Sequence, residues 1–162
     1  MSALADIAAT YRGPGGVVRA LISRGPREDR ALAILMGACA MIFVAQWPRL
    51  AREAHLSGTE LNPLLGGALL AWIIIAPLAL YIIAALSRAP ARLAGLRVSG
   101  YGARIALFWA LFATSPLILL HGLVAGFIGT GVQETLIGII WLAVFLWFWI
   151  AGLVGAGREG RT

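Results

Sequence analysis

Four stretches of this chain run on without a charged side chain: residues 31–47 (17 residues), 64–86 (23), 105–128 (24) and 135–154 (20). Crossing a hydrocarbon core about 30 Å thick takes about 20 helical residues, so three of the four are long enough outright. The first reaches only about 25 Å at 1.5 Å per residue. Arg27 and Arg30 just before it can lengthen the helix by snorkelling their guanidinium groups to the interface. None of the runs alternates polar with apolar residues, as barrel strands do. Composition points the same way. The chain is 60% hydrophobic, carries 20 Gly and only 12% charged residues, and has a mean hydropathy of +0.89. A domain of 162 residues cannot bury that much apolar surface in a core of its own. The fold class predicted is an all-α, polytopic membrane helical bundle of four transmembrane helices, with N-terminal interfacial amphipathic helices.

The first run is not read as a cleavable signal peptide. It begins some thirty residues in and is longer than the 7–15 apolar residues such a segment uses. All 13 basic residues are arginine, against 7 acidic ones, giving a net charge of +6. A pI near 11 in a soluble chain would suggest nucleic acid; here the positions of the arginines favour a membrane orientation instead. Arg12, Arg19, Arg24, Arg27 and Arg30 precede the first run, and Arg88, Arg92, Arg97 and Arg104 lie between the second and third. Arg158 and Arg161 follow the fourth, whereas the first loop has only Arg49 and Arg52 and the third loop none. With both termini in the cytoplasm, eleven arginines fall inside and two outside, as the positive-inside rule expects. The localisation expected is a bacterial inner membrane.

Three segments follow from this reading: an interfacial or cytoplasmic stretch over 1–30, a four-helix transmembrane domain over 31–156, and a cytoplasmic tail over 157–162. In the first, Leu4, Ile7, Ala8 and Tyr11 repeat at helical spacing, as do Val17, Val18, Leu21 and Ile22, with a break at Pro14-Gly15-Gly16. Short amphipathic helices flanked by arginine suit anionic headgroups, although the same face could dock on a partner protein. The first loop, Arg49 to Leu56, reads as one or two polar helical turns closed by Ser57-Gly58. His55 lies there as a lone imidazole, with no second histidine or cysteine nearby, and is not read as a metal ligand. In the second loop, Arg88, Arg92, Arg97 and Arg104 are candidates for headgroup contact and orientation.

Within the spans, Pro77 and Pro116 are predicted to kink the second and third helices. Thr114 and Ser115 are placed to satisfy the carbonyls that Pro116 frees. His121 is the one ionisable residue well inside a span, which makes it a candidate for a proton or ligand role. Its structural explanation is a neutral imidazole bonded to a neighbouring helix. Glu134 reads as an anchor at the positive end of the fourth helix. Small residues four apart (Ala33/Gly37, Gly67/Ala71, Gly122/Gly126, Gly152/Ala156) are candidates for close helix approach. Trp141, Phe145, Phe148 and Trp149 form an aromatic stripe suited to lipid or packing. No P-loop, zinc spacing, Ser/His/Asp set or paired carboxylates are present, so neither an enzyme nor a cofactor is expected.

One stretch is Tyr101-Gly102-Ala103-Arg104-Ile105-Ala106-Leu107-Phe108-Trp109-Ala110-Leu111-Phe112-Ala113-Thr114-Ser115-Pro116-Leu117. With the basic N-terminal region and one longer loop between spans, it resembles the bacterial Yip1 family over roughly residues 10–156. In that family the third span similarly carries an aromatic, small-residue run ending in a central proline. The family commonly has five spans, and four are read here. The resemblance implies a membrane fold without an assigned activity. The function expected is therefore non-enzymatic: contact with lipid, with a membrane complex as scaffold or accessory subunit, or with a second copy. The alternative is a small oligomeric transporter or channel lined by Pro77, Pro116 and His121.

Overall fold

The computed structural model describes residues 3–159, and every regular element among them is helical. In chain order these are α1 (Ala3–Thr10), α2 (Pro14–Ser23), α3 (Glu28–Ser57), α4 (Leu61–Leu69), a π-helical turn (Leu70–Ile75), α5 (Ala76–Leu86), α6 (Arg88–Leu93), α7 (Gly100–Ala113), α8 (Ser115–Phe127) and α9 (Val132–Glu159). Three helical stretches, Glu28–Ser57, Leu61–Leu93 and Val132–Arg158, are long and apolar enough to cross a membrane. A fourth crossing is counted if α7 and α8, bent by 44°, make one span. Arg161 and the end of the expected tail lie outside the described residues.

Each proline meets a different local outcome. Helix α3 continues through Pro48, so the polar turns expected as a separate loop are its C-terminal turns. Glu28 and Asp29 favour the positive end of its dipole, and it stops at Gly58 (φ 68°), a left-handed position that suits glycine. Pro77 lacks the N–H that would reach the Ile73 carbonyl. The wider π turn immediately before it is the usual way a helix absorbs such a loss. At Pro116 the helix breaks rather than kinks. Thr114 leaves helical geometry (φ −88°, ψ 2°), and its Oγ1 donates to the carbonyls of Ala110 (2.9 Å) and Leu111 (3.1 Å). The single span expected over 105–128 is thus two helices.

Helix α7 is apolar all round, and a helix of that kind belongs inside. Eleven of its fourteen residues are buried, among α2, α3, α5 and α9. Phe108 meets the edge of Tyr81 at 5.0 Å, and the indole Nε1 of Trp109 donates to the buried Thr10 hydroxyl at 2.9 Å. That last bond joins the N-terminal segment to α7. Helices α1 and α2 form a hairpin turning at residues 11–13, and α2 packs against α7 and α9. A Cβ built on Gly15 would stand 2.8 Å from the Ala151 carbonyl oxygen, and one on Gly155 would stand 2.5 Å from that of Gly15. Val18 and Leu21 join the main core cluster. Without their own side chains in the way, two glycines let the hairpin approach α9 backbone to backbone.

The contacts sort the molecule into two ends. At one, Arg104 bonds Glu28, Gly102 meets Ala156 and Ile22, and Leu96 meets Gly157. At the other, Gly126 meets Pro48 and Gly129 meets the Arg52 guanidinium.

Candidate functional site: a polar cavity between α3, α8 and α9

Two glycines build the site. A Cβ on Gly122 would fall 1.9 Å from the Ala45 carbonyl oxygen, and one on Gly126 would fall 2.2 Å from the Pro48 Cβ. Only glycine lets α8 lie this close to α3, as expected of this small-residue pair. Gly37, against Phe112, and Gly152, against Ala106, also sit at helix contacts, whereas Gly67 faces open space. The close crossing draws the polar face at the end of α3 against α8 and the start of α9. A cavity of about 270 Å³ lies between them, lined by Gln46, Arg49, Ile118, His121, Gly122 and Glu134 among others. It shares Arg49 and Ala125 with a cleft of about 500 Å³ that reaches Arg52, Glu53 and Ser57.

Most charges here are answered within the chain. Arg49 donates through Nε (3.1 Å) and Nη2 (3.0 Å) to Gln46 Oε1, and through Nη1 (3.3 Å) to Glu53 Oε2. Arg52 Nη1 donates to the Gly126 carbonyl at 3.3 Å, at the C-terminal end of α8 where cations are favoured. His121 and Glu134 differ: neither has a hydrogen bond or ion pair with another described residue. The imidazole lies against α9, with Nε2 3.3 Å from the Cβ position of Gly138. Glu134 is one turn earlier on the same face of that helix, since residues four apart are neighbours. The sequence reading left His121 without a second titratable group; the tertiary structure supplies Glu134 and Arg49. Gln46, Arg49 and Glu53 recur at helical spacing. Carrying the helix through Pro48 is the step that exposes this signal.

The prolines do not join them. Pro77 is buried at the start of α5, Pro116 is exposed at the start of α8, and neither lines the His121 cavity.

The four loop arginines separate into a pair and two singles. Nη1 atoms of Arg88 and Arg104 lie 3.8 and 3.6 Å from the Cβ position of Gly100, at the start of α7, where Ser99 caps the helix. Arg104 also bonds Glu28, and the Nε atoms of both arginines are buried without an acceptor. Arg92 and Arg97 are exposed. The aromatic stripe divides too. Trp141, Phe145 and Trp149 stack in succession at 5.6 and 5.8 Å, while Phe148 turns inward against Tyr11. Trp141, Phe145 and Trp149 line an almost wholly apolar groove of about 350 Å³ between α5 and α9, with Leu107 and Leu111 of α7 also lining it. Through Trp149 the groove continues into a second hollow of about 330 Å³ beside α6.

No group of three or more His, Cys, Asp or Glu side chains among the described residues is placed to hold a metal ion. Comparison of the chain with protein-family models, curated proteins and solved structures finds no match.

Proposed function

We propose that this is a multi-pass protein of a bacterial inner membrane, with both termini cytoplasmic, that works by contact and not by catalysis. It organises lipid or serves as a scaffold or accessory subunit, for a membrane complex or for a second copy of itself. The resemblance to the Yip1 family belongs to the same proposal. The observation that carries the reading is the open lateral groove between α5 and α9. The second apolar helix, Leu61–Leu93, has only 6% of its most apolar stretch buried inside the chain. Such a helix leaves much of its surface to lipid or to another protein. Arg88 and Arg104, converging at the start of α7, supply positive charge for anionic headgroups at the cytoplasmic end.

The test is purification from native membranes in a mild detergent, with mass spectrometry of what is retained. A partner or second copy held by the unaltered protein and lost from Ala79→Trp, which fills the groove, is the expected result. The same composition from both proteins sets the reading aside.

A small transporter or channel is the competing reading, and the His121 cavity is the observation in its favour. Replacing His121 by leucine then abolishes flux in proteoliposomes. Neither Pro77 nor Pro116 lines the cavity, so contact is preferred.

A further inference from the structure

The cavity between α3, α8 and α9 has a chemical bias. Its one cation among the described residues, Arg49, is engaged with Gln46 and Glu53, and Arg52 in the adjoining cleft with the carbonyls ending α8. Two acceptors remain free. One is the Glu134 carboxylate, the other the acceptor nitrogen that His121 offers in its neutral form; both residues line the cavity and neither side chain is bonded by the chain. Gln46 Oε1 already accepts two bonds from Arg49, which fills its two lone pairs. An anion entering here meets the one uncompensated carboxylate. A group with positive charge and several N–H donors meets complementary acceptors, and charge-assisted bonds of that kind are the strong ones.

Volume narrows the choice. Liquid water occupies about 30 Å³ per molecule, so about 270 Å³ is ample for a group of a few heavy atoms and lies below the usual range for drug-sized ligands. Ala45, Ile118 and Ala125 offer aliphatic wall for a short carbon stem. The shared boundary at Arg49 and Ala125 opens the cavity toward the larger cleft. We propose that this cavity is a binding site for a primary ammonium group on a short chain, held by Glu134 and His121. The ammonium comes either from the ethanolamine headgroup of a phospholipid or from a free small amine. This site is separate from the lateral groove and does not rest on its role.

Ethanolamine titrated into the full-length protein in a non-ionic detergent, followed by calorimetry, tests the site directly. Acetate and choline serve as comparisons, since one is an anion and the other a cation without N–H donors. Ethanolamine is expected to bind and both comparisons to fail. Glu134→Gln weakens it at least about 10-fold, the effect of losing one charged hydrogen-bond partner. His121→Gln, which keeps an acceptor, retains more affinity than His121→Leu. Ile118→Trp fills the cavity without removing a polar group and abolishes binding, which covers the case where Glu134→Gln does not fold. Native mass spectrometry with phosphatidylethanolamine or phosphatidylglycerol identifies the source. Preferential retention of the former, lost in Ile118→Trp, assigns a lipid headgroup; ethanolamine binding without that preference assigns a free amine. Absence of ethanolamine binding, equal or tighter binding of acetate or choline, or full affinity in both Glu134→Gln and Ile118→Trp overturns the proposal.

Discussion

A methyl group added at Gly122 would stand 1.9 Å from the carbonyl oxygen of Ala45, a backbone atom that cannot rotate aside. Overpacking of this kind costs about 1–3 kcal/mol, so Gly122→Ala is expected to lower the melting temperature in detergent by several degrees. Gly67→Ala is the matched comparison. Nothing lies within 4 Å of its Cβ position, and its melting temperature should equal that of the unaltered protein or exceed it. Equal losses at both sites would show that glycine here serves the helices and not their crossing. Thr10 gives a second residue-scale test. Its hydroxyl is the acceptor for the buried Trp109 indole, and Thr10→Val leaves that donor unsatisfied at about 1–3 kcal/mol. A lower melting temperature with the fold retained is expected, and an unchanged one would remove the bond from the account. Both residues show how far spacing goes. The Gly122/Gly126 repeat was legible as a close-approach face, but nothing in the spacing of Thr10 names a partner 99 positions away.

Among the helices, Pro48, Pro77 and Pro116 separate local chemistry from its surroundings. Each removes the same hydrogen bond, yet α3 continues, the second helix widens into a π turn, and α7 and α8 part by 44°. The direction of α8 is fixed twice, by the break at Thr114 and by its glycine contacts on α3. Pro116→Ala is therefore expected to leave α8 in place. Spin-label distances between α3 and the end of α8 should match those of the unaltered protein; a longer distance would assign the angle to proline alone. The same reasoning explains the cavity. Arg49 and Glu53 were legible as polar helical turns, but their function as cavity wall depends on α3 continuing past Pro48 beside α8.

For the molecule as a whole, charge divides along the long axis. Arg30, Arg88, Arg104 and Arg158 belong to the end where α3 and α7 begin and α9 finishes, and Arg49 and Arg52 to the other. Cysteines introduced at Arg97 and at Thr130, with buried Cys39 replaced by alanine, are expected to react with an impermeant maleimide from opposite faces of sealed membranes. Arg97→Cys is reached from the cytoplasmic side. Labelling of both from one side would overturn the proposed orientation. The N-terminal hairpin belongs to this scale as well. It contributes Thr10, Val18 and Leu21 to the same packed unit as α7. Removing residues 3–23 should expose α7 and α9 and abolish a monodisperse detergent-solubilised state, an outcome read by size-exclusion chromatography.

Helical character, the apolar stretches and the uneven distribution of arginine were all determined by sequence, because each depends on composition and local period. Lipid-scale apolar runs leave the backbone little alternative to bonding itself within a helix. Which helix would be innermost, where Pro116 would divide a run, and that residues 3–23 would fold back against α7 and α9 were decided by tertiary structure. Those outcomes depend on shape at close approach, glycine against backbone at Gly15, Gly122 and Gly155. His121 was recognisable in the sequence as an ionisable residue in an apolar run. Its company of Glu134, Arg49 and Gln46 was not, because three separate helices must cross before those side chains share one cavity.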